Sequence, residues 1–160
     1  MLRALLERGI TPDVLVGCSV GAVNAAALAA DPSLDTVDQL EEVWSALDGE
    51  DVFPQGRLQG LWLLTRKGRS LHSGAGLRAL LEDALPYGRI EQAATPLHVV
   101  ATSLHSGRER WFSSGPVVDA VLASAALPAV LPPVLIDGEL YIDGGVVDNV
   151  PLSRAFTLGA

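Results

Sequence analysis

The sequence predicts a layered α/β fold for its 160 residues. Two observations carry the prediction. The chain opens as helix, strand, helix with tight connections, and a β-branched strand and further helical patterns follow. Hydrophobic residues make up 49% and charged residues 19%, a composition that folds around a core rather than staying disordered. The length suffices for a sizeable core, and no repeat, low-complexity tract or linker divides the chain. Residues 1–160 are therefore expected to form a single domain.

The elements follow in order. LRALLERG places Leu2, Leu5 and Leu6 on one helical face, and Gly9 offers a C-terminal stop. Ile10 to Asp13 is a turn. Val14-Leu15-Val16-Gly17 reads as a strand covered on both faces. Val20 to Ala30 is an alanine-rich helix ended by Asp31-Pro32. Thr36 to Leu47 is a second amphipathic helix, and Asp48 to Gly60 reads as irregular. Ser73 is placed to cap a helix running through Leu77, Leu80, Leu81 and Leu85 to Pro86. LHVVATS is a strand, and a turn at Ser106-Gly107 leads to a returning one. Val117 to Ala126 is a helix of small and apolar residues. VLI and ELYID flank Asp137-Gly138, a hairpin signal. DGGVVDNVP is a loop, and Pro151 suits the first turn of a last helix.

Charge and cysteine content exclude several functions. The net charge of −8 and the scattered basic residues disfavour nucleic acid as a partner. No run is long and apolar enough to span a bilayer, and no signal peptide begins at Met1. At most a peripheral membrane contact is expected, and a cytoplasmic location by default. Leu61 to Leu64 with Arg66, Lys67 and Arg69 reads either as a lipid contact or as a buried helix with a solvated basic end. The one cysteine, Cys18, has no disulfide partner, and no metal-ligand spacing occurs.

The chemistry concentrates at Gly17-Cys18-Ser19-Val20-Gly21, where a strand becomes a helix. In a G-x-S-x-G elbow the serine sits on a sharp strand-to-helix turn that exposes its hydroxyl. The two glycines remove side chains that would clash as the turn closes. The amide of Val20 then lies at a helix N-terminus, where negative charge is favoured. A serine that merely caps the helix is the competing reading. His72, His98 and His105 lack a loop context that marks a base, and ordinary surface or half-buried histidines account for them. Asp143, followed by Gly144 and Gly145, is the alternative base, because two glycines let the backbone approach a second element closely. An Asx-turn is the plainer explanation of the same residues. Cys18 is expected to be a small core residue facing away from Ser19.

LRALLERGITPDVLVGCSVGAVNAAALA, Leu2 to Ala29, and ASAALPAVLPPVLIDGELYIDGGVVDNVPL, Ala123 to Leu152, together resemble the patatin-like phospholipase family. The match spans nearly the whole chain, with two separated motifs in the right order. The resemblance implies a three-layer α/β/α fold around a mainly parallel sheet. It implies Ser19 as nucleophile and Asp143 as base, with Gly17, Val20 and Gly21 forming the elbow and oxyanion site. Gly144, Gly145 and Asn149 would support the catalytic loop, and Pro128 to Pro133 would border the site. The implied activity is that of a serine acyl hydrolase on lipid or other carboxylic esters, through an acyl-enzyme, with no metal or organic cofactor.

The family also carries a glycine-rich loop, G-G-G-x-R-G, after a first strand and before its first helix. No stretch of this sequence matches it, and Gly74-Ala75-Gly76 is close in composition only. The sequence is therefore expected to lack that strand and loop, and to be cut early at its C-terminal Leu158-Gly159-Ala160 as well. The loop's amides supply much of the family's oxyanion hole, so residues 1–160 in isolation are expected to have weak activity or none. A non-catalytic binding or regulatory protein on the same scaffold is the alternative.

Overall fold

The structure, a computed structural model, describes residues 1–46 and 74–159. The expectations for Asp48 to Gly60, Leu61 to Arg69, His72 and the Ser73 cap lie outside the described residues. The described elements are α1 (Leu2–Leu6), β1 (Leu15–Cys18), α2 (Val20–Ala30), α3 (Leu34–Ala46), α4 (Gly74–Ala84), β2 (Leu97–Ser103), β3 (Glu109–Phe112), α5 (Val117–Ser124), β4 (Val134–Ile136), β5 (Glu139–Asp143) and α6 (Leu152–Thr157). Short 3-10 turns lie at Ile90–Gln92 and Gly144–Val146.

Local chemistry explains most boundaries. Gly9 ends α1 with φ at +71°, a conformation that costs glycine little. α3 begins two residues earlier than its apolar pattern suggests, because Ser33 Oγ accepts the Thr36 amide and starts the helix. Asp137 and Gly138 have φ of 51° and 82°, the positive pair that a two-residue hairpin turn needs. α5 stops at Ser124 rather than Ala126. The Ala126 carbonyl accepts the Asp143 amide instead of continuing the helix.

The fold class is α/β, as the sequence predicts. β1 pairs in parallel with β2, and antiparallel strands extend that pair: β3 on β2, β5 on β2 and β4 on β5. β3 takes one edge of β2, at Val99 to Thr102. β1 and β5 must then share the other edge. β1 pairs with Leu97 to Val100, and β5 pairs with Ala101 to Ser103 in the opposite sense. The two strands run toward each other, so both of their C-terminal ends arrive at the middle of β2.

Paired residues share a face of the sheet. Leu97, Val99, Ala101, Phe112 and Tyr141 face the core with α2, α4 and α5. Alanines at 22, 26 and 29 are fully buried, which lets α2 lie close on β1. Phe112 and Tyr141 meet edge to face at 5.3 Å. On the opposite face His98 and Trp111 meet α6, whose Arg154 guanidinium lies 5.3 Å from the Trp111 ring centroid. The helices thus lie on both faces of the sheet. No helix among the described residues is long and apolar enough to cross a membrane.

Candidate active site

Ser19 occupies the single position between β1 and α2. Its backbone sits at φ 54° and ψ −126°, a conformation that costs a non-glycine residue about 1–3 kcal/mol. Gly17 makes so sharp a turn possible. A Cβ there would lie 2.6 Å from Ala22 Cα and 2.9 Å from the Gly21 carbonyl oxygen. Gly21 plays no such part: it is exposed, and a Cβ there would meet nothing among the described residues. The clash that the sequence reading assigns to both glycines is therefore avoided at Gly17 alone.

The Ser19 carbonyl accepts the Ala22 amide at 2.9 Å and begins the helix. The Ser19 amide donates to Ser124 Oγ at 2.9 Å. The Ser19 hydroxyl donates to Asp143 Oδ2 at 2.6 Å, across 124 positions of sequence. The Val20 and Gly21 amides open α2, and neither donates to a protein acceptor among the described residues. Both are available to an anion at the positive end of the helix.

Asp143 ends β5 and is 3% exposed. Its amide donates to the Ala126 carbonyl at 2.9 Å, and its carbonyl accepts from Thr102 Oγ1 at 2.9 Å. Carboxylate oxygen Oδ1 accepts the Gly145 amide at 2.7 Å, which leaves Oδ2 for Ser19. These two bonds offset the cost of burying a carboxylate that has no ion-pair partner among the described residues.

The glycines after Asp143 are needed for different contacts. A Cβ on Gly144 would lie 2.5 Å from the Val100 carbonyl oxygen, so only bare backbone fits against β2. A Cβ on Gly145 would lie 2.9 Å from Asn149 Oδ1 and 3.0 Å from Asp143 Oδ1. The Asn149 side chain thus closes over Gly145. Leu127, at the head of the proline-containing segment, follows the residue whose carbonyl holds Asp143.

Cys18 is buried, and its thiol is pushed up to about 12 by desolvation first and then by the negative charges of Asp143 and Asp148. The histidines stand apart from the pair. His98 pairs with Val16 and faces α6, its Nδ1 has no partner among the described residues, and burial and then Arg154 lower its pKa. His105 is exposed at the β2–β3 turn. Among the described residues no group of three or more His, Cys, Asp or Glu is placed to hold a metal ion.

Sequence reasoning missed Ser124, Thr102 and the Ala126 carbonyl. Ser124 carries a usable signal: it is a serine in a helix whose other residues, Asp119 excepted, are small or apolar. Four exposed apolar side chains, Val20, Leu127, Val146 and Val147, belong to the segments that build the pair.

The sequence model of the patatin-like phospholipase family matches residues 1–156. A rat patatin-like phospholipase domain-containing protein 7 is 29% identical over 162 aligned residues, covering 100% of this chain and 12% of its own length. A Mycobacterium tuberculosis protein of the NTE family is 32% identical over 158 residues, 96% of this chain and 40% of that protein. The neuropathy target esterase sws of Drosophila melanogaster is 30% identical over 162 residues, 100% of this chain and 11% of its own. The chain therefore spans well under half the length of these relatives. The family match over nearly all residues, with both of its motifs drawn together at one edge of β2, establishes that the chain belongs to the patatin-like phospholipase family.

Proposed function

We propose that the chain is a serine acyl hydrolase acting on carboxylic esters of lipids, with Ser19 as nucleophile and Asp143 as general base. The observation that carries this reading is the 2.6 Å hydrogen bond from the Ser19 hydroxyl to Asp143 Oδ2. A serine hydroxyl is a weak nucleophile until an adjacent base takes its proton. Here the base is already in contact, and its second oxygen is tied to the Gly145 amide.

In acylation, Ser19 Oγ bonds to the ester carbonyl carbon as its proton passes to Asp143 Oδ2. The tetrahedral oxyanion lies at the N-terminus of α2, where the Val20 amide donates to it. The bond from carbon to the leaving oxygen then breaks, and Asp143 returns the proton to the departing alcohol or lysolipid. In deacylation, a water molecule gives its proton to Asp143 and attacks the acyl carbon. The bond from the acyl carbon to Ser19 Oγ then breaks, Asp143 returns the proton to Oγ, and free acid departs. No step calls for a metal or organic cofactor.

A lipid ester is favoured over a polar one by two observations. Val20, Leu127, Val146 and Val147, in the segments that build the pair, are exposed, and apolar surface suits acyl chains. Relatives of the chain are named as patatin-like phospholipase domain and target esterase proteins.

Labelling with a fluorophosphonate probe tests the reading, since the probe reports an activated serine without turnover. The expected result is an adduct in the parent protein and none in Ser19→Ala. A folded parent protein that forms no adduct would overturn the reading and favour a non-catalytic scaffold. An adduct that persists in Ser19→Ala would overturn the assignment of the nucleophile.

A further inference from the structure

We propose that the turn ending α5 is the jig that sets the Ser19–Asp143 geometry, with Ser124 as a positioning residue; this rests on the hydrolase reading. Ser124 is fully buried, and its hydroxyl accepts the Ser19 amide at 2.9 Å, 105 positions away in sequence. Two residues later the Ala126 carbonyl accepts the Asp143 amide at 2.9 Å. One turn of chain therefore holds the backbone of both members of the pair.

The two members reach the site from opposite directions along β2. Sheet pairing fixes each strand up to Cys18 and Asp143 but stops short of Ser19 itself. Ser19 lies beyond the last β1 pair, in a strained conformation that relaxes unless something holds it. Its amide donates to Ser124 Oγ rather than to a strand neighbour. Without that acceptor the part-buried amide loses its protein partner, and rotation about Ser19 φ and ψ would restore one while carrying Oγ away from Asp143. A displacement on the order of 1 Å at a reacting atom costs about 100-fold in rate. Ser124 touches neither substrate nor the reacting oxygens, so its effect falls on the chemical step and not on substrate binding.

The test compares Ser124→Ala, which removes the acceptor, with Ser124→Cys, which keeps the shape but accepts weakly. Tyr87→Phe is the control for loss of a hydrogen bond alone, because Tyr87 donates to the Ala26 carbonyl at 2.7 Å in the later half of α2. Fluorophosphonate labelling and p-nitrophenyl butyrate hydrolysis are measured beside thermal unfolding and amide hydrogen exchange at Ser19. The expected order of labelling rate is wild type, then Ser124→Cys, then Ser124→Ala. Ser124→Ala should be slowed roughly 10- to 100-fold with KM unchanged, and Tyr87→Phe should label at the wild-type rate. Ser19 amide exchange should accelerate at least about tenfold in Ser124→Ala, beyond any change in Tyr87→Phe. A Ser124→Ala protein that labels at the wild-type rate, or whose slowing only matches that of Tyr87→Phe, would overturn the inference. If the wild-type protein does not label at all, the hydrolase reading falls. The positioning claim is then decided by exchange: faster at Ser19 supports it, and unchanged protection ends it.

Discussion

Cys18 and Asp143 are the last residues of two strands that meet head to head on one edge of β2, where they pair with the adjacent residues Val100 and Ala101. The residue after Cys18 is Ser19, so topology alone brings the hydroxyl to the neighbourhood of the carboxylate. The remaining distance is closed by the strained turn at Ser19 and by the tight approach of Gly144 to the Val100 carbonyl. A hydroxyl and a carboxylate 124 positions apart are thus joined by strand pairing on β2, by the backbone angles of Ser19 and by the bare backbone of Gly144.

The first prediction concerns the carboxylate. Asp143→Asn keeps the size of the side chain and an oxygen able to accept the Gly145 amide, but it removes the proposed base. General-base catalysis contributes about 10²- to 10⁴-fold, so kcat/KM for p-nitrophenyl butyrate should fall by that factor. Thermal unfolding should change far less than in a variant that leaves the Gly145 amide unpaired, such as Asp143→Ala. An Asn variant with wild-type kcat/KM would show that another group takes the serine proton.

The second prediction separates the two elbow glycines. Gly17→Ala drives a methyl group to within 2.6 Å of the Ala22 backbone. α2 must shift away from β1, which costs about 1–3 kcal/mol in urea unfolding, as overpacking does. Fluorophosphonate labelling should fall with it. Gly21→Ala adds a methyl group in open space on a helix, where alanine is favoured by up to about 1 kcal/mol. Its stability should match or exceed that of the parent. Equal losses in the two variants would contradict the geometry.

What the sequence made legible follows from the range of the forces involved. The helix Val20–Ala30 and the strand Leu97–Ser103 have the bounds their patterns predict, because alanine content and β-branching act locally. The Asp137-Gly138 hairpin was readable for the same reason, since the turn chemistry resides in two residues. The end of α5 was not, because the Ala126 carbonyl is claimed by Asp143 from a distant segment. The sharing of one β2 edge by β1 and β5 is likewise a choice among long-range pairings that no single segment encodes. Ser19 and Asp143 were recognisable through the motifs around them, whereas Ser124 offers only one hydroxyl in a helix of small and apolar residues, and nothing local names Ser19 as its partner.

The third prediction is that Cys18 is inert in the folded protein. Only the thiolate reacts with disulfide reagents, and desolvation followed by the charges of Asp143 and Asp148 pushes this thiol up to about 12. At pH 8 a native sample should release no thionitrobenzoate from Ellman's reagent over the minutes in which an exposed thiol reacts fully. One equivalent should appear on unfolding in guanidinium. Prompt native reaction would mean that the Ser19 turn opens far more often than its hydrogen bonds suggest.

The fourth prediction links acid stability to the start of α5. The Glu91 carboxylate accepts its own backbone amide, then the Gly115 amide at 2.8 Å, then Arg89 Nε at 2.7 Å, and these bonds lower its pKa to about 2 from 4.5. Gly115 and Val117 are in turn bound to Ile90 and Gly88, so Glu91 fastens the loop from which α5 departs. The folded pKa lies below the unfolded one. Its contribution is therefore complete above about pH 4.5 and is lost as the pH falls toward 2. Glu91→Gln removes the charge at every pH. The stability difference between the parent and this variant, read by urea unfolding, should be constant from pH 7 to 5 and shrink steadily between pH 4.5 and 2. A difference that stays constant down to pH 2 would show that the charge contributes nothing to holding the loop. Because α5 carries Ser124 at its far end, fluorophosphonate labelling of Glu91→Gln at pH 7 should fall only if loosening the start of the helix reaches its last turn.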